Sequence, residues 1–241
     1  MLYGYYYYGF DWTYIVLVLP FVILSLIASG AVNSTFKRYA EQISARRITG
    51  AEAAQRVLAA NGVSNVKIQR VRGNLTDHYD PKSNVIRLSE GVYDSPSTAA
   101  IGVACHEAGH AVQYAQNYGP IKLRAAIIPV TNFGSRLAMP LILIGILLSS
   151  MGYLSDALVY LGIACFSLSL VFQLITLPVE FNASRRAMAA IAQAELLTEE
   201  EQKGARKTLT AAAMTYVAAV AVSFTQLLRL ILLFGGRRRN D

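Results

Sequence analysis

Long apolar runs alternate with polar stretches along this chain, and the runs exceed what the core of a soluble domain requires. A helix needs roughly 20 apolar residues to cross a bilayer, and four stretches reach that length. The first, TYIVLVLPFVILSLIASGAV from Thr13 to Val32, holds no charge. IIPVTNFGSRLAMPLILIGILLSS and ALVYLGIACFSLSLVFQLITLPV follow in tandem across the short break MGYLSD. The fourth, MTYVAAVAVSFTQLLRLILLFGG, contains Arg229, a costly residue in lipid.

The polar segment from Asn33 to Arg124 is the part able to form a water-facing unit, and its patterns predict a small α+β domain. In ITGAEAAQRVLAANGV, Thr49 can cap a helix, Glu52 completes a capping box and Gly62 supplies the stop. VKIQRV and NVIRLS alternate as strands, with a turn at Gly73 and Asn74 between them, which predicts an antiparallel sheet. SPSTAAIGVACHEAGHAVQYAQNYG reads as a helix of about six turns, capped at Ser95 and Pro96 and ended by Gly119 and Pro120.

The expected fold is therefore a mainly α membrane protein. It has about four transmembrane helices, with the α+β domain inserted between the first and second. The expected segments are 1–33, an aromatic N-terminus and anchor; 34–124, the α+β domain; 125–178, a transmembrane hairpin; 179–210, a polar helix; and 211–241, a last transmembrane or membrane-dipping helix with a basic tail. Composition agrees, with 54% hydrophobic and 15% charged residues among 241. MLYGYYYYGFDW lacks the basic residues of a signal peptide and its rings suit the headgroup level, so the first stretch reads as a retained anchor. The net charge of +7 sits mostly beside the apolar runs, a membrane-orientation pattern rather than one for nucleic acid. Two cysteines, Cys105 and Cys165, supply no disulfide framework.

The candidate chemistry lies in ACHEAGHAV, residues 104–112, which uses two of the three histidines in the chain. His106 and His110 are four residues apart on a predicted helix, so both face one way and one tetrahedral zinc ion can bridge them. Glu107 sits where it can reach a metal-bound water without being a ligand, the H-E-x-x-H arrangement of zinc peptidases. Cys105 points about 100° away on the helix and is better read as core. A catalytic zinc takes three protein ligands. His78 in LTDHYDP and Glu180 in LPVEFNASRRAMAA are the candidates for the third. Two crossings separate His110 from Glu180, so the chain returns to the side it left, and a carboxylate ending an apolar run needs a cation. Both points favour Glu180.

LTDHYDP, RLSEGVY, HEAGHAVQ and VEFNASRRA, in that order, resemble the neutral zinc metallopeptidases of bacterial integral membrane proteins. More distantly the layout is similar to the membrane gluzincins of the heat-shock protease and CAAX prenyl protease type, whose glutamate ligand opens an E-[FY]-x-A-D motif. The resemblance implies His106, His110 and Glu180 as ligands of Zn2+, Glu107 as general base, and a gluzincin-like domain. Ser184 stands where those relatives have an aspartate that orients a metal-bound histidine; its hydroxyl can accept that bond, without charge assistance.

These parts imply a membrane endopeptidase acting on polypeptides, membrane proteins among them. NVIRLS is then a candidate edge strand for pairing with an extended substrate, and His78 a candidate donor to the oxyanion or, alternatively, a residue fixing its loop. Lys37, Arg38, Arg46 and Arg47 after the first run, with Arg185, Arg186, Arg206 and Lys207 after the third, put the site on the cytoplasmic side of a bacterial plasma membrane. GGRRRND then ends outside if the fourth run spans, unless that helix dips and returns. The rival reading is a catalytically silent zinc-binding scaffold or assembly factor. A transporter lined by Arg136 and Arg229 is weaker, because no acidic partner lies within the apolar runs.

Overall fold

The structure is a computed structural model that describes residues 11–235. Most of the N-terminal aromatic cluster, and the basic tail after Gly235, lie outside the described residues. Helices dominate: α1 (Leu19–Ala40, entered through wider π-type turns over Tyr14–Val18), α2 (Gly50–Ala60), α3 (Glu90–Tyr93), α4 (Thr98–Ala115), α5 (Gly119–Leu147), α6 (Tyr153–Gln193) and α7 (Glu199–Phe234). Three short strands complete the list: β1 (Lys67–Val71), β2 (His78–Asp80) and β3 (Val85–Ser89). Four helical stretches are long and apolar enough to cross a membrane: Tyr14–Ala40, Gly119–Leu147, Tyr153–Gln193 and Glu199–Phe234. The fourth runs as one helix to Phe234, with no return among the described residues.

The chain forms two compact units. One comprises the described parts of Met1–Ile27, Leu123–Thr176 and Thr215–Asp241. Within it Arg229 pairs with Asp11, from the flank of the first apolar run, and its guanidinium carbon lies 5.5 Å from the Tyr14 ring centroid.

The other unit, Ala28–Lys122 with Leu177–Met214, holds the sheet and α4, so the expected segments 34–124 and 179–210 belong mostly to one body. Local chemistry sets its elements. Thr49 and Glu52 cap α2 reciprocally, and Gly62, at φ +67°, ends it. Thr198 and Glu201 repeat the reciprocal cap at α7, and the other Glu201 oxygen accepts the Ala45 N–H at 2.7 Å. The core gathers Val57, Leu58, Ile86, Leu88, Ile101 and Ile191, all essentially buried, around α4.

Three expectations need correction. The sheet is mixed, in the order β1-β3-β2: β1 and β3 run parallel, and only β2 is antiparallel to β3. NVIRLS is consequently the central strand, buried on both faces, and cannot serve as an edge for substrate. The third correction concerns α4, whose cap is Ser97, accepting the Ala100 N–H, rather than Ser95; it stops at Ala115, and Gly119 and Pro120 open α5 instead of ending α4.

Candidate metal centre

Eight of the 18 residues of α4 are Ala or Gly, which lets its neighbours approach closely at those positions. Its two histidines share a face, with ring centroids 4.7 Å apart and planes at 86°. Gly109 sits against α6, where an added Cβ would stand 2.9 Å from the Ala183 carbonyl oxygen. That absent side chain is what lets Glu180, about one turn before Ala183, reach the histidines. Replacing Gly109 by alanine is expected to force the helices apart, at about 1–3 kcal/mol for overpacking. Helix propensity alone would instead favour alanine by about 1 kcal/mol. Thermal unfolding of purified protein decides the sign; a raised midpoint would show that this contact does not limit the helix spacing.

Glu180 Oε2 lies 3.3 Å from His106 Nε2 and 3.4 Å from His110 Nε2. The ligand atoms of these three residues all lie within 4.8 Å of one another. A tetrahedral zinc with bonds of about 2.0–2.1 Å sets neighbouring ligand atoms about 3.3–3.4 Å apart. The donor set fits the ion in chemistry, and the two distances from Glu180 to the imidazoles match its spacing. Glu180 is 2% exposed, and a buried carboxylate needs paired or metallic positive charge.

Hydrogen bonds fix how the imidazoles are presented. Arg186 Nε donates to Asn182 Oδ1 at 2.8 Å, so that oxygen is an acceptor. Gln113 Nε2 donates to Asn182 Oδ1 and to the Val179 carbonyl, both at 2.9 Å, which leaves Gln113 Oε1 as an acceptor. His110 Nδ1, 2.9 Å from Gln113 Oε1, must then carry a proton and donate it. His110 Nε2 is thereby free to present a lone pair towards Glu180. On the other ring, His106 Nδ1 lies 3.1 Å from Ser184 Oγ. A hydroxyl can accept that proton without the charge that an aspartate would bring.

Electrostatics follow from the carboxylates. Burial works against protonating His110, but hydrogen bonding to Glu180 and the charges of Glu107 and Glu180 outweigh it and hold its pKa above the ordinary value. The centre thus favours positive charge. Glu107, 8% exposed, stays outside the donor group; its Oε2 accepts the backbone N–H of Tyr79 at 2.9 Å. Burial pushes the Asp77 carboxyl above its usual range, against the N–H and hydroxyl that Ser89 donates to it, and Glu107 adds in the same direction. Those bonds tie the start of β2 to the end of β3.

His78 is exposed on β2, and its Nδ1 lies 2.8 Å from the Thr76 carbonyl in its own loop. Cys105 is fully buried in the core, where burial drives its thiol pKa up, and it stands outside the donor group. Sequence reasoning missed Gln113, Gly109 and the Tyr79 N–H. Gln113 had a signal: a glutamine three residues after His110 on a small-residue apolar helix needs a buried partner.

A family model described as "Putative neutral zinc metallopeptidase" matches residues 14–235. The "Putative membrane protease YugP" of Bacillus subtilis (strain 168) is 47% identical over 228 residues, covering 94% of this chain and 99% of that protein. No solved structure matches the chain.

Proposed function

Since the chain belongs to this neutral zinc metallopeptidase family, we propose that it is a zinc-dependent membrane endopeptidase of the HExxH-plus-glutamate type. The observation that carries this reading is the convergence of His106, His110 and Glu180, with Glu180 3.3 and 3.4 Å from the two imidazoles, beside a carboxylate, Glu107, that is not part of the donor group. The three donors would hold the zinc. Bound there, zinc polarises a substrate carbonyl and brings the acidity of water towards neutral pH. Glu107 takes the water proton and passes it to the leaving amine nitrogen. With Tyr79 N–H held on Oε2, Oε1 is the oxygen that accepts the proton.

Substrate binding in this reading falls to β2, an outer strand. Its Tyr79 N–H is directed at Glu107 rather than at β3, so at this outward-facing position the Tyr79 carbonyl is the group that accepts an N–H from an extended polypeptide. His78, next along the strand, gives its Nδ1 proton to the Thr76 carbonyl, so in this reading it donates to the developing oxyanion from Nε2 as an imidazolium. The substrates are polypeptides, membrane proteins among them. The site faces the cytoplasm of a bacterial cell, because Lys37, Arg38, Arg46, Arg47, Arg185, Arg186, Arg206 and Lys207 all belong to the unit that carries it.

Purified protein is expected to contain stoichiometric zinc and to cleave casein. Cleavage should stop on chelation and return with zinc. Zinc-loaded protein that cleaves neither casein nor a peptide library would leave a metal-binding scaffold as the better description.

A further inference from the structure

α5 places an arginine at the depth where a membrane helix tolerates one least. Arg136 stands about 18 Å along the helix from Arg124 and about 16 Å from its end at Leu147. The helix packs antiparallel on α6, and the close approaches fix its register. A side chain at Gly134 would meet the Cys165 carbonyl and Leu168, one at Gly162 would meet Ala138 and Ile142, and one at Gly145 would meet Ser155 and Val159. Ser155 Oγ donates to the Gly145 carbonyl at 2.7 Å and locks the pairing. Arg136 is thus level with the residues around Cys165, well inside the uncharged run between Asp156 and Glu180. By both measures it lies near the middle of a hydrocarbon layer about 30 Å thick. From there its stem is too short to carry the guanidinium to the headgroups.

The side chain also points the wrong way for an internal partner. Gly134 and Ala138 face α6, and Arg136, two residues from each, is on the opposite, exposed side. No hydrogen bond or ion pair is made by its side chain among the described residues. Arg229 is a control within the same unit, since its guanidinium is paired with Asp11 and set over Tyr14. Asn132, Arg136, Met139 and Leu143 are all exposed at spacings of four, three and four residues, a single stripe of the kind that receives a second helix.

We propose that this stripe is the docking face for a transmembrane helix of another membrane protein carrying a carboxylate at mid-depth, which pairs with Arg136. A second copy of this chain is a poor occupant, because its apolar runs offer no acidic residue at that depth. A carboxylate on an incoming helix would neutralise the guanidinium where neither lipid tails nor water can.

The test uses the full-length Glu107→Gln protein, so that cleavage plays no part, donor-labelled in phosphatidylcholine vesicles. The probe is an acceptor-labelled synthetic helix of about 22 Leu and Ala residues with one central Glu; its control has Leu there. Energy transfer should report roughly tenfold tighter association for the Glu helix, the scale of interhelical polar contacts. Arg136→Leu should erase the preference, and Arg136→Lys should retain it. Equal association of the two helices, or a Glu preference that survives Arg136→Leu, would overturn the proposal. Transfer between copies of the protein alone that Arg136→Leu abolishes would assign the face to self-association and also overturn it.

Discussion

Glu107→Gln is expected to lower the rate of peptide cleavage by about 10²–10⁴-fold, the usual worth of a positioned general base, while zinc stays bound. Glutamine keeps the shape of the side chain and an amide oxygen that can accept the Tyr79 N–H, so the anchorage of β2 survives. What disappears is the basic oxygen. Because Glu107 is not among the candidate donors His106, His110 and Glu180, zinc affinity should change little. Single-turnover cleavage of a labelled peptide, with zinc content measured on the same preparation, separates the two effects. A variant that keeps zinc and wild-type turnover would place the base elsewhere. A variant that loses both would mean that Glu107 supports the metal, contrary to its position outside the donor group.

The parts of the site that were legible in the sequence are those set by helical periodicity and by counting crossings. Two histidines four residues apart must share a helix face, and an even number of spans returns the chain to its starting side. His106, His110 and Glu180 are grouped in the structure as those two facts led one to expect. Ser184 Oγ stands 3.1 Å from His106 Nδ1. The caps of α2 were equally readable, since a capping box is a contact between residues three apart.

The sheet was harder because strand alternation says nothing about direction or neighbours. β1 and β3 look like two arms of a hairpin, yet β2 intervenes in sequence and pairs with the far side of β3, which turns the hairpin into a mixed sheet. β2 is only three residues long, too short to show a period of two. The same limit hid the Tyr79 N–H, a backbone group that no side-chain motif records. Gly109 was invisible for a different reason: a helical glycine reads as a weak helix former until the backbone pressed against it, here Ala183, is known.

Loss of the carboxylate at position 180 is expected to cost more zinc affinity than loss of the hydroxyl at 184. Outer partners of a metal-bound histidine are worth about 10–100-fold in metal affinity, and Ser184→Ala removes only such a partner, the one next to His106 Nδ1. Glu180→Gln keeps the volume but removes both a donor oxygen and the negative charge that faces His106 Nε2 and His110 Nε2. Its loss should therefore exceed about 100-fold, beyond the outer-partner range. Burial sharpens the contrast, because at 2% exposure there is no solvent at Glu180 to replace the missing charge. Competition for zinc against a chromogenic chelator ranks the wild type and both variants, and thermal unfolding of each checks that the fold is intact. If Glu180→Gln binds zinc as tightly as Ser184→Ala, Glu180 is at most a partner of the two imidazoles, and the third ligand must be sought elsewhere.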